Sequence, residues 1–191
     1  MSDDSWFSPR RGLNTRQRAT VEKIFEAAET FLTDHDYEDL TLRLVAADAG
    51  VSAATVYTYF SSKNHLCAGV FCRYVLTAGS PALEGDTLAR VQQVVRYFSD
   101  TIAGAPMLAS AATRSLLASE PDVAELRLSL GVHWVSVFRQ ALGEAATPEL
   151  SEALLLSFSG ALLHAGMGAL AYEDLGDHLA RAVETVLRGN I

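Results

Sequence analysis

The residues best equipped for recognition chemistry are Ala53, Ala54, Thr55, Tyr57, Thr58 and Tyr59. Hydroxyls and phenols can exchange hydrogen bonds with phosphate or base edges, and small side chains let a helix approach a groove closely. Ser52, directly ahead, can cap a helix start, while Val56 and Phe60, four apart, give that helix a face to bury. No nucleophile elbow, phosphate-binding glycine loop or metal-ligand cluster accompanies them. The chemistry on offer is therefore recognition, and neither an enzyme nor a cofactor is expected.

Positioning such a helix requires a partner element. Thr41 is an N-cap candidate, and Leu42, Val45, Ala46 and Ala49 recur at i, i+3, i+4, i+7, one apolar stripe on a short helix. Gly50 follows where the chain must leave that helix, a position suited to the left-handed conformation glycine adopts freely. Val51 would plug the corner. Two short helices joined at a tight glycine turn form a helix-turn-helix, which places its second helix in the major groove of DNA. An ordinary helical corner would explain Gly50 and the caps, but not two outward tyrosines and a threonine pair.

Upstream, Val21, Ile24, Phe25, Ala28, Phe31 and Leu32 keep helical spacing, so a first helix of about five turns should cross the other two. Residues 9–23 carry Arg10, Arg11, Arg16, Arg18 and Lys23 against Glu22 alone. An arginine-bearing arm can reach phosphates or the minor groove. Residues 1–14 read as a flexible arm, with Arg16 and Arg18 at the helix entry as candidate phosphate contacts.

The alanine-rich IFEAAETFL, the aromatic turn HDYEDLTL, the motif AADAGVSAATVYTYF and the following SSKNHL resemble, in order and spacing, the DNA-binding domain of the TetR family of bacterial transcriptional regulators. The resemblance runs from Thr15 to about Leu66. It implies that Thr41, Ser52, Thr55, Tyr57, Tyr59 and Lys63 meet DNA, with Ala53, Tyr57 and Thr58 nearest the bases. Many relatives have a lysine or other polar residue at the position of Ala53 and a glycine at that of Ala54. Base readout here should lean on Tyr57, Thr58 and apolar contact with thymine methyls.

The chain has 191 residues, 49% of them hydrophobic, and a formal net charge of −8. Residues 1–65 hold seven basic and ten acidic side chains, so positive charge gathers only at the arm and at Lys63. Acidity repels phosphate, which predicts poor affinity for random DNA and a marked salt dependence. The opening residues show no signal-peptide pattern. Cys67 and Cys72, the only cysteines, read as reduced packing residues of a cytoplasmic protein.

Beyond the head, Pro81, Pro106, Pro121 and Pro148 punctuate helical patterns. Helices are expected at Lys63 to about Ala78, Thr87–Ile102, Met107–Ala118, Val123–Leu142, Glu149–Ala171 and Leu175–Arg188, with no sheet. The fold is thus all-α, about nine helices, with a helix-turn-helix domain over 15–62 and a helical effector-binding and dimerisation domain over 63–191. Ala153–Tyr172 is uncharged and long enough to span a bilayer, yet its glycines, serines and acidic flanks favour a helix buried on all sides. With the apolar face Leu179, Val183, Val186 and Leu187, it could pair with its copy in a four-helix interface. The resemblance also implies dimerisation through helices 149–171 and 175–188, matching a palindromic site.

Between head and interface lies the expected effector site. Its candidate wall is Phe98, Ile102, Met107, Leu108, Leu116, Leu117, Trp134, Phe138, Phe158, Leu162 and Met167, with polar handles Arg114, His133 and His164. Taken singly, these residues fit an ordinary core equally. No third ligand stands near His133 and His164 to make a metal site. A small, largely apolar effector would tilt helix 63–78 like a lever and pull the recognition helices out of register. Three functions compete: a dimeric, ligand-released repressor; a regulator of the same fold governed by a protein partner; and a helical lipid carrier without DNA binding. The outward Thr55, Tyr57, Thr58 and Tyr59 would be idle in the carrier.

Overall fold

A computed structural model describes residues 12–190, and every regular element among them is helical. Residues 1–11 of the expected arm, with Arg10 and Arg11, lie outside the described residues. In order, α1 spans Thr15–Asp34, α2 Leu42–Asp48, α3 Ala53–Tyr59, α4 Lys63–Thr77, α5 Thr87–Ala103, α6 Pro106–Leu116, α7 Pro121–Leu142, α8 Pro148–Gly166 and α9 Leu175–Leu187. The start of α1 is fixed by a reciprocal cap: Asn14 Oδ1 accepts from the Gln17 amide at 3.0 Å, and Gln17 Oε1 accepts from the Asn14 amide at 2.9 Å. Helices α6, α7 and α8 each open on their proline, one or two residues before the apolar periodicity begins, because proline's fixed φ suits the first helical turn.

The chain forms two compact units. One comprises α1–α4, α6 from Met107 and the opening of α7 to Ser129; the other comprises α5, α7 from Leu130, α8 and α9. In the first, Val21, Ile24, Phe25, Ala28 and Leu32 of α1 are buried, with Leu42, Val45, Ala46, Val56 and Phe60. Phe31, expected on that stripe, is half-buried and instead stacks on His35 at 4.5 Å. Cys67 and Cys72 are buried as free thiols, and burial pushes both up to about 12. In the second unit, α9 buries Leu175, Leu179, Ala180, Val183 and Leu187 as it packs against α5 and α8.

Three expectations are corrected. Helix α8 stops at Gly166 rather than Ala171, because Gly168 turns left-handed (φ +75°) and the Ala169 amide reaches back to the His164 carbonyl at 2.9 Å. Uniform apolarity hid that stop. Nor is α8 buried all round: Leu150, Leu154, Phe158 and Ala165 face the core, whereas Leu156 is 64% exposed alongside Ser159 and Gly160. Finally, Leu179, Val183 and Leu187 of the expected α9 face are buried within their own chain and Val186 is half-buried, leaving Asp177, His178, Arg181, Glu184 and Arg188 outward. Among the described residues no helix is long and apolar enough to cross a membrane.

Candidate nucleic-acid interface

Helix α3 is defined at both ends. Ser52 Oγ accepts from the Thr55 amide at 3.1 Å and shares a hydrogen bond with Thr55 Oγ1 at 2.8 Å. At the far end the Phe60 amide returns to the Val56 carbonyl at 2.9 Å, and both side chains are buried. Helix α2 starts likewise, with Thr41 Oγ1 accepting from the Leu44 amide at 3.2 Å. Gly50 joins the helices at φ +65°, where a side chain would be strained, and the Val51 amide closes the corner on the Ala46 carbonyl at 2.9 Å.

With Val56 and Phe60 inward, Ala54, Tyr57 and Thr58 form the outward stripe, and Tyr57 is 56% exposed. Ala53, Thr55 and Tyr59 flank it, half-buried; Ser52 and Thr41 are exposed at the two helix starts. Thr58 donates its hydroxyl proton to the Ala54 carbonyl at 2.9 Å, which fixes the side chain and leaves the oxygen's lone pairs outward. Arg16 and Arg18 are exposed on the first turn of α1.

Lys63 is placed differently from the others. Its ammonium donates to the carbonyls of Tyr37 at 2.8 Å and Glu38 at 3.3 Å and lies 4.0 Å from the Tyr37 ring centroid. Its charge holds the turn before α2, so its reach toward a phosphate is restricted. Arg43, absent from the DNA contacts expected from sequence, is an exposed cation in the first turn of α2. Its position off the Leu42–Val45–Ala46 stripe was the available signal.

Other contacts stiffen the platform. Arg73 of α4 bridges to Glu22 at 2.7 Å and Glu29 at 2.6 Å, both on α1. Gly69 lets α4 approach α1 closely: a Cβ there would stand 3.1 Å from Phe25 Cε1. Burial holds the His65 imidazole below its ordinary value, against the opposing pull of Asp122.

The expected effector residues divide between the two units. Phe98, Ile102, Trp134, Phe138 and Phe158 are buried in the second unit. There the Phe98 and Phe158 rings each lie 4.6 Å from Trp134, and His133 is edge-on to Phe98 at 6.2 Å. Burial lowers the His133 pKa. His164 and Met167 are exposed, the latter by 62% beside the end of α8. Met107, Arg114 and Leu117 belong to the first unit. Met107 is half-buried, Arg114 pairs with Glu38, and Leu117, just past the end of α6, is 66% exposed. Leu117 and Met167 fall at helix ends, where apolar identity does not guarantee an inward side chain. Of the remaining expected wall residues, Leu108 is buried and Leu116 and Leu162 are half-buried. No group of three His, Cys, Asp or Glu side chains among the described residues could hold a metal.

Residues 24–70 match the model of the bacterial regulatory proteins of the tetR family. An HTH-type transcriptional regulator of Mycobacterium tuberculosis is 38% identical over 181 residues, covering 92% of this chain and 84% of its own. The chain belongs to the TetR family. It is a transcriptional regulator with a DNA-binding helix-turn-helix. A TetR transcriptional regulator from Rhodococcus sp. RHA1 shares the fold at a TM-score of 0.77 and 23% identity, over 90% of this chain and 97% of that one. So does Thermus thermophilus FadR, a transcriptional repressor in complex with lauroyl-CoA, at a TM-score of 0.64 and 17% identity, over 88% and 94% of the two chains.

Proposed function

We propose that this TetR-family regulator is a dimeric, cytoplasmic repressor that reads a palindromic operator and is released by a small, largely apolar ligand. The observation that carries the DNA side is the outward stripe Ala54–Tyr57–Thr58 on a helix whose opposite face is buried at Val56 and Phe60. Two such helices about 34–36 Å apart would meet successive major grooves of a two-fold site. Thr41, Ser52, Thr55 and Tyr59 serve at its edges, while Arg16, Arg18 and Arg43 take phosphates. Leu156, Ser159 and Gly160 on α8 form the outward face best suited to a second copy.

For the ligand, the support is the aromatic cluster Phe98–Trp134–Phe158 with His133 as polar handle, together with the acyl-CoA held by the Thermus relative. Release is a population shift: the ligand binds the conformation that reads DNA less well. The close ring packing also favours a second reading, in which a protein partner replaces the small molecule. Selection of duplexes from a random-sequence library, followed by titration with wild type and Tyr57→Ala, tests the DNA side. Sequence-selective binding lost in a folded Tyr57→Ala variant supports it; equal affinity for selected and scrambled duplexes overturns it. Adding lauroyl-CoA to the wild-type complex then tests an acyl ligand: release of the duplex supports one, and retention rules out that acyl-CoA as the releasing molecule.

A further inference from the structure

Two carboxylates that the DNA-binding motif does not contain grip the chain at the end of the recognition helix. Glu120, just ahead of α7, accepts a hydrogen bond from the Ser62 hydroxyl and another from Asn64 Nδ2 at 2.7 Å. Asp122, in the first turn of α7, accepts from the Ser61 hydroxyl at 2.5 Å. Ser61, Ser62 and Asn64 follow within five residues of Tyr59, the last residue of α3. The other flank of the motif is tied to the same corner. Asn64 Oδ1 accepts from the Tyr37 hydroxyl at 2.6 Å, and Glu38 pairs with Arg114 of α6. Thus the helix-turn-helix, residues 41–60, is bracketed by a turn before it and a turn after it, each fastened to α6 or to the α6–α7 corner. All of these residues lie in one compact unit.

We infer that Glu120 and Asp122 are positioning residues for DNA recognition: by fastening the Ser61–Asn64 turn they set the angle at which Tyr57 and Thr58 are presented. This rests on the DNA-reading function proposed above and adds its control point. Charge-assisted hydrogen bonds are the strong and directional ones, so this corner specifies orientation better than apolar packing would. The corner is also the beginning of α7, the same continuous helix that bears His133, Trp134 and Phe138.

The sign of the effect separates positioning from plain electrostatics. If the two carboxylates did no more than repel phosphate, removing either charge would tighten DNA binding. A grip predicts the opposite. Full-length Glu120→Ala and Asp122→Ala should each bind a duplex selected by the wild type about tenfold to a hundredfold more weakly, the range expected for losing a hydrogen bond to a charged group. Asp122→Asn, which keeps an acceptor for Ser61, should recover most of the loss. In the cycle of Glu120→Ala with Ser62→Ala, the double variant should bind little worse than Glu120→Ala alone, which already removes the Ser62 and Asn64 bonds. Glu144→Ala, an exposed acidic residue of the other unit, serves as the charge control. Thermal melts of the free proteins, compared with affinity, complete the set. Weaker binding by folded alanine variants, rescue by asparagine and a non-additive cycle support the inference. Unchanged or tighter binding by the alanine variants, or additive effects, overturn it while leaving the DNA-reading function intact. Failure of the wild type to select any duplex overturns both.

Discussion

Phe60 sets its ring edge against Phe25, centroids 5.3 Å apart and planes at 67°, so the residue that caps the recognition helix is seated in the core of α1. The orientation of α3 is therefore anchored by an aromatic pair that touches no DNA. Phe60 is fully buried, and Phe60→Ala should destabilise the protein by about 3–5 kcal/mol through the cavity it leaves. Urea unfolding of the two proteins measures this. A cost below about 0.5 kcal/mol, the size of an ordinary surface change, would show that the aromatic seat does not hold the motif.

Tyr57 presents the opposite case, a large side chain kept outward. Tyr57→Ala should change stability by no more than about 0.5 kcal/mol, as surface substitutions do, while removing sequence discrimination. Arg43→Ala should act differently. It should weaken specific and scrambled duplexes alike and lower the slope of log affinity against log salt by about one, the mark of a lost phosphate contact. A change in base preference without a change in salt slope would reassign Arg43 to base reading.

The motif was legible in the sequence because its determinants are local. Thr41, Gly50 and Ser52 act within three or four residues of themselves, and capping chemistry or a left-handed turn can be read directly from such neighbours. The helical count was legible from periodicity and proline placement for the same reason. Burial around α8 was not, since Ala153–Tyr172 is apolar on every side and periodicity has nothing to discriminate. Which face Leu156 takes depends on α5, α7 and α9 arriving from elsewhere in the chain. The carboxylate corner was invisible for a related reason: Glu120 and Ser62 are 58 positions apart, and nothing in either local pattern points to the other. Lys63 carries a long-range contact that its local pattern did not reveal. The residue sits where a phosphate contact is implied, yet in this chain its ammonium holds the carbonyls of Tyr37 and Glu38.

Acid should loosen both units through their histidines. His65 and His133 each titrate below the ordinary histidine value of about 6.5 because burial disfavours the charged ring. The unfolded chain then binds protons more readily than the folded one. The neutral histidines' contribution is fully present above pH 6.5 or so and is lost as pH falls below that value toward their folded pKa values. Melting temperature should decline from about pH 7.5 to pH 5.5, and His133→Gln should shallow that decline. An unchanged pH profile in His133→Gln would place the acid sensitivity elsewhere.

The face that α8 leaves open determines how the chain should assemble. Leu156, Ser159 and Gly160 lie on one stripe, and a Cβ added at Gly160 would meet nothing within 4 Å, so another backbone can approach there. The outward residues of α9 are mostly charged and, Val186 apart, the apolar residues of its expected face are covered as it packs on α5 and α8, which makes α8 the main apolar contributor to a two-fold contact. Under two-fold symmetry one substitution is counted twice, and Leu156 would meet its copy or a near neighbour of it. Leu156→Arg should therefore convert the dimer to monomer at micromolar concentration, as sedimentation velocity would show, with the monomer melting cooperatively. Operator affinity should fall by about a hundredfold or more, because each head then binds without the effective concentration supplied by its partner. A Leu156→Arg protein that stays dimeric and keeps its operator affinity would move the interface to the charged face of α9, where Arg181 and Glu184 could pair across the axis.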